Sequence, residues 1–535
     1  MRSIVPWIFF GSLILPGTLA SAADADGTVL RLQMRSREKA PEDGDLYRIV
    51  YKTVEWDPKK TAIIICDMWD TLCCKIPADR VAEIAPRMNE FVAAARQRGV
   101  LIIHAPSGNV DFYDGTPARK RALDAPKVGN KVPLKWNDLD PEREPPLPID
   151  DSDGGWEGPR LAGRPQTRQI ASIEIKDVDA VDAGPQIYYL LQQRGIENVM
   201  LMGVHTNMCV LGRPFGIRQM VYLGKNAVLV RDLTDSLYNP QRWPQVSHFQ
   251  GTERVIEHIE KFWCPTITST DLLDKPAFRF EGDKRPRVAI VVSDDHYHAD
   301  KTLPLFAQML RDRYGCDCAV LHGEGEADIR HTAELQTADC LVLYVRRLAL
   351  PKKQLDRIRA YVASGRPVVA LRTASHAFAA RSTYPEGYQS PDGCDEWPGF
   401  DAEVLGGNYH GHGPNQLGSD VAMVPEQARH PILAGLSPQT WHSTGSLYYT
   451  APLKEDALVL MNGSAGNRTE PLTWFRTHQA GRVTYTGLGH PEDFKQPEFC
   501  KLLVNMIFWS MDRPVPQPDT IPPRPQNLGD DKAIK

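Results

Sequence analysis

The sequence predicts an α/β protein of two domains, each a three-layer α/β/α arrangement with a mainly parallel sheet. Two observations support this fold class. The chain has 535 residues, which is too many for one hydrophobic core. It also contains two separate series of short apolar runs that alternate with amphipathic segments, as in parallel sheets covered by helices.

The first series of apolar runs lies between residues 61 and 230. The run 61–66 (TAIIIC) is almost entirely apolar, which is typical of a strand buried on both faces. Gly99 favours the end of a helix at that point. The predicted strands are 61–66, 100–104, 170–175, 198–202 and 227–230, and the predicted helices are 82–98, 186–194 and one that begins near Cys209.

A long insertion separates the second and third of these strands. Residues 106–168 are rich in proline, glycine and charge, and they include Trp136 and Trp156. Segments of this length usually form lids, binding loops or disordered stretches. We expect a rim over an active site, with packing between subunits as the alternative.

The second series begins at residue 287. Its predicted strands are 287–292, 317–321, 340–345, 367–371, 457–461 and 482–486, and its predicted helices are 302–313, 352–363 and 498–511. Prolines and a charged run between the two series predict a linker. We predict a first domain over 30–264, a linker over 265–285, a second domain over 286–512 and a disordered, proline-rich tail over 513–535.

Residues 1–22 are typical of an export signal. Arg2 precedes an apolar stretch, and Ala20-Ser21-Ala22 forms a cleavage site of small residues. The apolar stretch is shorter than the roughly 20 residues that span a bilayer, which favours cleavage over a membrane anchor. We expect a periplasmic or secreted protein with no membrane contact after cleavage.

The composition argues against two classes of partner. The formal net charge is -5, and there is no run of lysine or arginine, so neither nucleic acid nor an anionic membrane is expected as a partner. The ten cysteines show no CxxC pair and no repeating spacing. Few or no disulfides are therefore expected.

Three chemically useful side chains follow three predicted strands. Asp67 follows the first strand, Lys176 ends the third, and Cys209 lies where a helix starts after the fourth. A thiol at a helix N-terminus meets free N–H groups and the positive end of the helix dipole, which favour the thiolate. Because parallel strands end at one sheet edge, the three groups are expected to share a pocket. Taken singly, Asp67 could cap a helix and Lys176 could be a solvated charge.

The motifs around these residues resemble the isochorismatase-like cysteine hydrolases. The run IIICDMWDTL is similar to the family's first-strand motif, and GVHTNMCV to its cysteine motif. The resemblance implies a catalytic set of Asp67, Lys176 and Cys209 that cleaves amides or other C–N bonds through a thioester. It also implies an oxyanion hole from the N–H groups of Met208 and Cys209, and a cis peptide at Val204–His205.

The substrate pocket departs from the family pattern, because DVDAVDAG follows Lys176. We expect Trp69, His104, His205 and Arg213 to contact the substrate, with a structural role as the alternative for His104. Arg213 lies one helical turn after Cys209 and would hold a substrate carboxylate, or else pair with acids at a subunit contact. No metal-ligand set is recognised, so neither a metal nor a cofactor is expected.

The C-terminal half resembles the ThuA-like (trehalose-utilisation) family, whose fold is similar to class I glutamine amidotransferases. The resemblance is carried by PLTWF, GRVTYTGLGHPEDFKQPEF and LLVNMIFWSMDRP. The turn comparable to the amidotransferase nucleophile contains no cysteine, so amidotransfer is not expected. Histidines in predicted loops are candidates for a shared pocket: His296, His298, His376 and His490, together with His410 and His412.

The sequence leaves two functions open. The first is an exported cysteine hydrolase of the amidase type, with an accessory ThuA-like domain, a small-molecule substrate and a homo-oligomeric assembly. The alternative is a carbohydrate-binding or carbohydrate-modifying protein that acts through the ThuA-like domain and has an inactive hydrolase domain. The complete Asp/Lys/Cys set favours the first.

Overall fold

Each half of the chain forms its own β-sheet in the computed structural model, so the prediction of two α/β domains is confirmed. The structure describes residues 29–39, 47–162, 166–294, 296–323, 328–380, 390–437 and 440–518. The predicted export signal and most of the predicted disordered tail lie outside the described residues.

The first sheet has eight strands in the order β2-β1-β8-β7-β6-β3-β4-β5. Strands β3 to β8 pair in parallel, and β1 pairs antiparallel with both β2 and β8. The strands are Leu30–Lys39 (β1), Tyr47–Trp56 (β2), Thr61–Cys66 (β3), Leu101–Ala105 (β4), Ala180–Val181 (β5), Asn198–Val204 (β6), Asn226–Asp235 (β7) and Thr266–Ile267 (β8). The helices are Lys75–Gln97 (α1), Pro117–Leu123 (α2), Gln186–Gln193 (α3), Ile217–Tyr222 (α4) and His248–Phe262 (α5).

The predicted strand over 170–175 is wrong. This segment forms turns, and the strand that pairs with β4 is the short β5, whose two residues are completely buried. Ile173 is buried, but its neighbours Glu174 and Lys176 are exposed. The alternation of apolar and polar residues in this segment therefore comes from a loop in which the Ile173 side chain is buried.

The hairpin of β1 and β2 was not predicted from the sequence. Two inward-facing arginines interrupt its apolar pattern: Arg35 and Arg37 are both buried, and each donates from Nε to the carboxylate of Glu260, at 2.6 and 3.1 Å. The shared carboxylate offsets part of the cost of burying these two charges on the strand.

The second sheet has nine strands in the order β10-β9-β11-β13-β21-β20-β19-β16-β17. The first five are parallel and the last four are antiparallel, so the sheet is mixed. Its strands are Arg287–Ser293 (β9), Asp317–His322 (β10), Cys340–Val345 (β11), Val368–Leu371 (β13), Ser419–Met423 (β16), Thr440–Ser443 (β17), Leu458–Ala465 (β19), Arg468–His478 (β20) and Gly481–Thr486 (β21). Short two-residue strands are Leu350–Pro351 (β12), Cys394–Asp395 (β14), Gly411–His412 (β15) and Tyr448–Tyr449 (β18), and the helices are Ala299–Tyr314 (α6), Lys352–Ala363 (α7) and Pro497–Ser510 (α8).

Strand β9 shows how the three layers of this domain form. Val288, Ile290 and Val292 belong to one buried cluster with side chains of α6 and α8. Ala289 and Val291 belong to another cluster with side chains of α7. Because side chains alternate along a strand, the sheet is covered by helices on both faces.

The contact between the two domains includes the ring pair Tyr51–His322 and polar groups of the segment predicted as a linker. That segment starts with β8, which belongs to the first sheet. Further along it, the Oγ1 of Thr270 and the N–H of Ala277 donate to Oε1 of Glu334 in the second domain, at 3.0 and 2.9 Å. Arg287 donates to the other oxygen of the same carboxylate at 2.7 Å.

All ten cysteines are free thiols in this structure. In the part of the chain that the structure describes, no helix is both long enough and apolar enough to cross a membrane.

Candidate active site

Asp67 lies directly after β3 and is completely buried. Its Oδ1 accepts a hydrogen bond from the N–H of Ser107 at 2.8 Å, and its Oδ2 accepts one from Nε of Arg213 at 3.0 Å. Its backbone has a φ of +51°, in the left-handed region that favours glycine. Residues held in this conformation cluster at functional sites, because the surrounding structure must stabilise them.

Cys209 follows β6 and lies in a π-helical turn over Thr206–Val210. The predicted cis peptide at Val204–His205 precedes this turn and is confirmed. Burial and, after it, the negative charge of Asp67 raise the pKa of the Cys209 thiol, whereas the Arg213 guanidinium and a hydrogen bond from the His205 N–H lower it. The sequence favoured a thiolate at this position. Burial reverses that expectation, and the resting group is a thiol beside a carboxylate.

Lys176 does not join this pair, which corrects the placement expected from the sequence. Its ammonium group is half exposed and forms an ion pair with Glu174 at 2.6 Å. Within the described residues, no hydrogen bond or ion pair links Lys176 to Asp67 or Cys209. The cause is the loop that replaces the predicted third strand, since Lys176 no longer marks a strand end.

Arg213 supplies the positive charge at this site. Besides the hydrogen bond to Asp67, its guanidinium carbon lies 5.4 Å from the ring centroid of Trp136, which comes from the long insertion. The nearby Asp67 carboxylate raises the pKa of Arg213 against the effect of burial. The sequence named Arg213 as a contact of the substrate, whereas the structure shows that its Nε faces Asp67.

The predicted oxyanion hole needs one correction. The N–H of Met208 donates to the carbonyl oxygen of His205 at 3.0 Å, so this group is already used. A hydrogen bond from the backbone N–H of His205 is among the causes that lower the pKa of the Cys209 thiol, so this N–H lies near the sulfur.

The other predicted substrate contacts lie inside the domain. His104 is completely buried and bonds Gln169 and Asp179, at 3.0 and 3.2 Å, which makes it structural. The His205 imidazole is also buried, and burial lowers its pKa to about 4, so it is neutral. Trp69 is buried near Asp67, and its Nε1 has no hydrogen-bond partner among the described residues.

Two residues of this site were not predicted from the sequence as contacts of the catalytic set. Ser107 acts through its backbone N–H, and a backbone donor leaves no signal in side-chain chemistry. Trp136 was noted only as part of the insertion, and nothing in the sequence linked it to Arg213. Loops of this length place their side chains by tertiary packing, which a pattern of residues does not reveal.

The histidines of the second half divide into two groups. His296 and His376 line one cavity of about 570 Å³, together with His410 and His412. His298 and His490 do not line it: the first precedes α6, and the second forms a hydrogen bond with Thr444 at 2.9 Å. Among the described residues, no group of three or more His, Cys, Asp or Glu side chains is suited to hold a metal ion.

Family models cover both halves of the chain. Residues 61–258 match the isochorismatase domain, and residues 287–510 match ThuA, described as trehalose utilisation. The chain joins an isochorismatase domain to a ThuA domain. Both resemblances seen in the sequence are confirmed, and Asp67, Cys209 and Arg213 belong to an isochorismatase-family hydrolase domain.

Solved structures resemble one domain or the other. A ThuA-like protein from Bacteroides uniformis is 17% identical over 44% of this chain and 95% of its own, with a TM-score of 0.32. A cysteine hydrolase from Pseudomonas syringae pv. phaseolicola is 17% identical over 41% and 92%, with a TM-score of 0.27. An isochorismatase family protein from Desulfovibrio vulgaris is 19% identical over 40% and 97%, with a TM-score of 0.24. No curated protein matches the chain.

Proposed function

We propose that the isochorismatase domain hydrolyses a small amide, or another C–N bond, through a thioester on Cys209. One observation carries this proposal: the Cys209 thiol lies beside the buried Asp67 carboxylate, which Arg213 and the Ser107 N–H hold in place. A nucleophile, a proton acceptor and a cation therefore meet where β3 and β6 end. This is the combination that nucleophilic catalysis by a thiol requires.

The proposed reaction begins with proton transfer from the Cys209 thiol to Asp67. The sulfur attacks the carbonyl carbon of the substrate as the proton leaves, because the raised pKa of the thiol disfavours a free thiolate beforehand. The C–N bond then breaks, and the leaving amine takes the proton from Asp67. This step leaves an acyl group on the sulfur and a carboxylate at Asp67.

Water completes the cycle. Asp67 accepts a proton from the water that attacks the thioester carbon. The C–S bond then breaks, and Asp67 returns this proton to the sulfur, which releases a carboxylic acid and restores both the thiol and the carboxylate. Arg213 stabilises the carboxylate form of Asp67 between the two steps. The N–H groups of His205 and Cys209 are the proposed donors to the negative oxygen of each tetrahedral intermediate.

Replacement of Cys209 tests the mechanism. A screen of small amides and ureido compounds, with and without a carboxylate, is expected to show release of ammonia or amine by the full chain. Cys209→Ala should lower kcat/KM by about 10⁴-fold or more, because no other group in the mechanism forms the covalent bond. Mass spectrometry of the quenched wild-type enzyme should detect the acyl adduct on the peptide that contains Cys209.

Cys264→Ala is the matched control, since Cys264 is also a buried cysteine of this domain. It should keep activity within about threefold of wild type, with a small loss of stability from the vacated volume. Turnover that survives in Cys209→Ala, or an adduct on a different cysteine, would contradict the proposed nucleophile.

A further inference from the structure

The second domain contains a cavity that the hydrolase mechanism does not use. It has a volume of about 570 Å³, which suits a small molecule. Its lining comes from segments that follow the parallel strands of the second sheet: Arg346 follows β11, His376 lies shortly after β13, and His296 comes shortly after β9. The carboxyl ends of parallel strands are where open α/β sheets bind ligands.

The charge of the lining is positive. Arg346 and Arg347 line the cavity, and Asp401 is its only carboxylate among the described residues. In that part of the chain Arg346 forms no ion pair, and its side chain is half buried. A third guanidinium, that of Arg372, lies directly behind the wall, stacked 4.3 Å from the ring of Tyr297 and 4.5 Å from that of Tyr448.

The carboxyl groups near these cations do not fully neutralise them. The charge of Arg346 lowers the pKa of Asp294, which does not line the cavity, but burial outweighs this effect and raises it. Asp401 is buried, its Oδ2 accepts a hydrogen bond from the Tyr409 N–H at 2.7 Å, and its Oδ1 has no partner in the described residues. Burial raises the pKa of Asp401 to about 7, so a large fraction of it is neutral at that pH.

His376, which also lines the cavity, adds no positive charge. The ring of His376 stacks on Tyr409 at 4.4 Å between centroids, and its Nδ1 lies 3.1 Å from Oγ of Ser375. Burial, and then the charges of Arg347 and Arg346, lower its pKa to about 2. His376 is therefore a fixed neutral group, and the arginines dominate the field in the cavity.

We propose that this cavity is a second ligand site, independent of Cys209, for a small polar molecule that carries one carboxylate or phosphate group held by Arg346. A guanidinium binds such oxyanions with two parallel hydrogen bonds, which a neutral ligand does not satisfy. The neutral His376 and the half-titrated Asp401 face the uncharged part of the ligand, where they act as hydrogen-bond partners.

Isothermal titration of the full chain tests the proposal with three probes of similar size. Gluconate carries a carboxylate, glucose 6-phosphate carries a phosphate, and glucose carries neither. At least one anionic probe is expected to bind about tenfold or more tightly than glucose, which is the gain from a charge-assisted hydrogen bond. The anionic probe that binds more tightly identifies which oxyanion group, carboxylate or phosphate, the site prefers.

Variants locate the binding. Arg346→Met should weaken the bound probe about tenfold or more, and Arg346→Lys should restore part of the affinity, which also shows that the domain is folded. Arg313→Met is the matched control, because Arg313 is exposed on α6 and does not line the cavity. Cys209→Ala should bind as tightly as wild type.

Several results would overturn the proposal. They are equal affinity for glucose, full affinity in Arg346→Met, loss of binding in Cys209→Ala, and absence of binding by both anionic probes at about 10 mM, the affinity range of a single weak contact. None of these results bears on amide hydrolysis by the first domain, so the two proposals fail separately.

Discussion

A guanidinium and an ammonium group stabilise a neighbouring carboxylate in different ways. The guanidinium of Arg213 is planar and stays charged when it is partly buried, and here it combines a hydrogen bond to Asp67 with a stacked position near Trp136. A lysine ammonium has no plane to stack and loses its charge more readily on burial. Because Arg213 contacts both groups, the stabilisation of the Asp67 carboxylate depends on the conformation of the insertion that carries Trp136.

Arg213 and Lys176 make a matched pair of substitutions. Arg213→Met should lower kcat/KM by about 100-fold or more, because an unpaired buried Asp67 carboxylate loses the charge that stabilises it between the two proton transfers. Lys176→Met removes an exposed ion pair and should change kcat/KM by less than about twofold. Steady-state kinetics on the best substrate of the amide screen measures both.

The reverse result would show that the sequence motif is the better guide to the catalytic cation. In that case Lys176 would have to reach Asp67 in a conformation different from the present one. Equal, small effects in both variants would show that Asp67 works without a cation.

At the level of elements, the sequence predicted strands with continuous apolar runs well. It did not predict strands that carry charged residues at buried positions. Strands β3, β9 and β11 were predicted within one residue, because their side chains are nearly all buried and apolar. The β1–β2 hairpin was missed because Arg35 and Arg37 occupy inner positions.

The candidate site shows the same division. The positions of Asp67 and Cys209 at strand ends were predicted, since the flanking strands are continuous apolar runs. The partner of Asp67 was not, because it depends on where a helix turn brings Arg213 and on whether 170–175 pairs as a strand. Tertiary contacts of this kind have no local pattern in the sequence.

The inward arginines give the hairpin a measurable weak point. Glu260 is completely buried and accepts hydrogen bonds from Arg35, Arg37 and Thr266. Glu260→Gln should lower the free energy of unfolding by about 3 kcal/mol, since it leaves two buried guanidinium groups without their shared charge. Urea denaturation followed by tryptophan fluorescence measures the change.

The control is Asp79→Asn, which removes an exposed ion pair with Lys75 on α1. It should cost about 0.5 kcal/mol or less. If the two variants are equally stable, the buried pairs do not hold the hairpin to the domain.

At the scale of the whole molecule, a buried carboxylate lies in the contact between the two domains. Glu334 is buried and accepts hydrogen bonds from Thr270 and Ala277 of the preceding segment and from Arg287 of its own domain. A second contact, between Lys353 and Asp274, also crosses between the two parts of the chain but is exposed to solvent. The burial of Glu334 makes it the stronger of the two.

Glu334→Ala should loosen the association of the domains. It removes two hydrogen bonds from the contact and leaves Arg287 of the same domain with less compensation, so the main transition in scanning calorimetry should fall by about 5 °C or more and split into two. Lys353→Ala is the control and should leave a single transition within about 1 °C of wild type. An unsplit transition at the wild-type temperature in Glu334→Ala would mean that other contacts hold the domains together.

The hairpin at the start of the described chain has a consequence for solubility. Strand β2 is the outermost strand on one side of the first sheet, and β1 pairs with β8 on its inner side. A chain shortened to begin at Thr61, where the family match begins, would remove the strand that pairs with the outer edge of β8. Open strand edges recruit strands from other copies, so such a fragment would form aggregates that the full-length chain avoids.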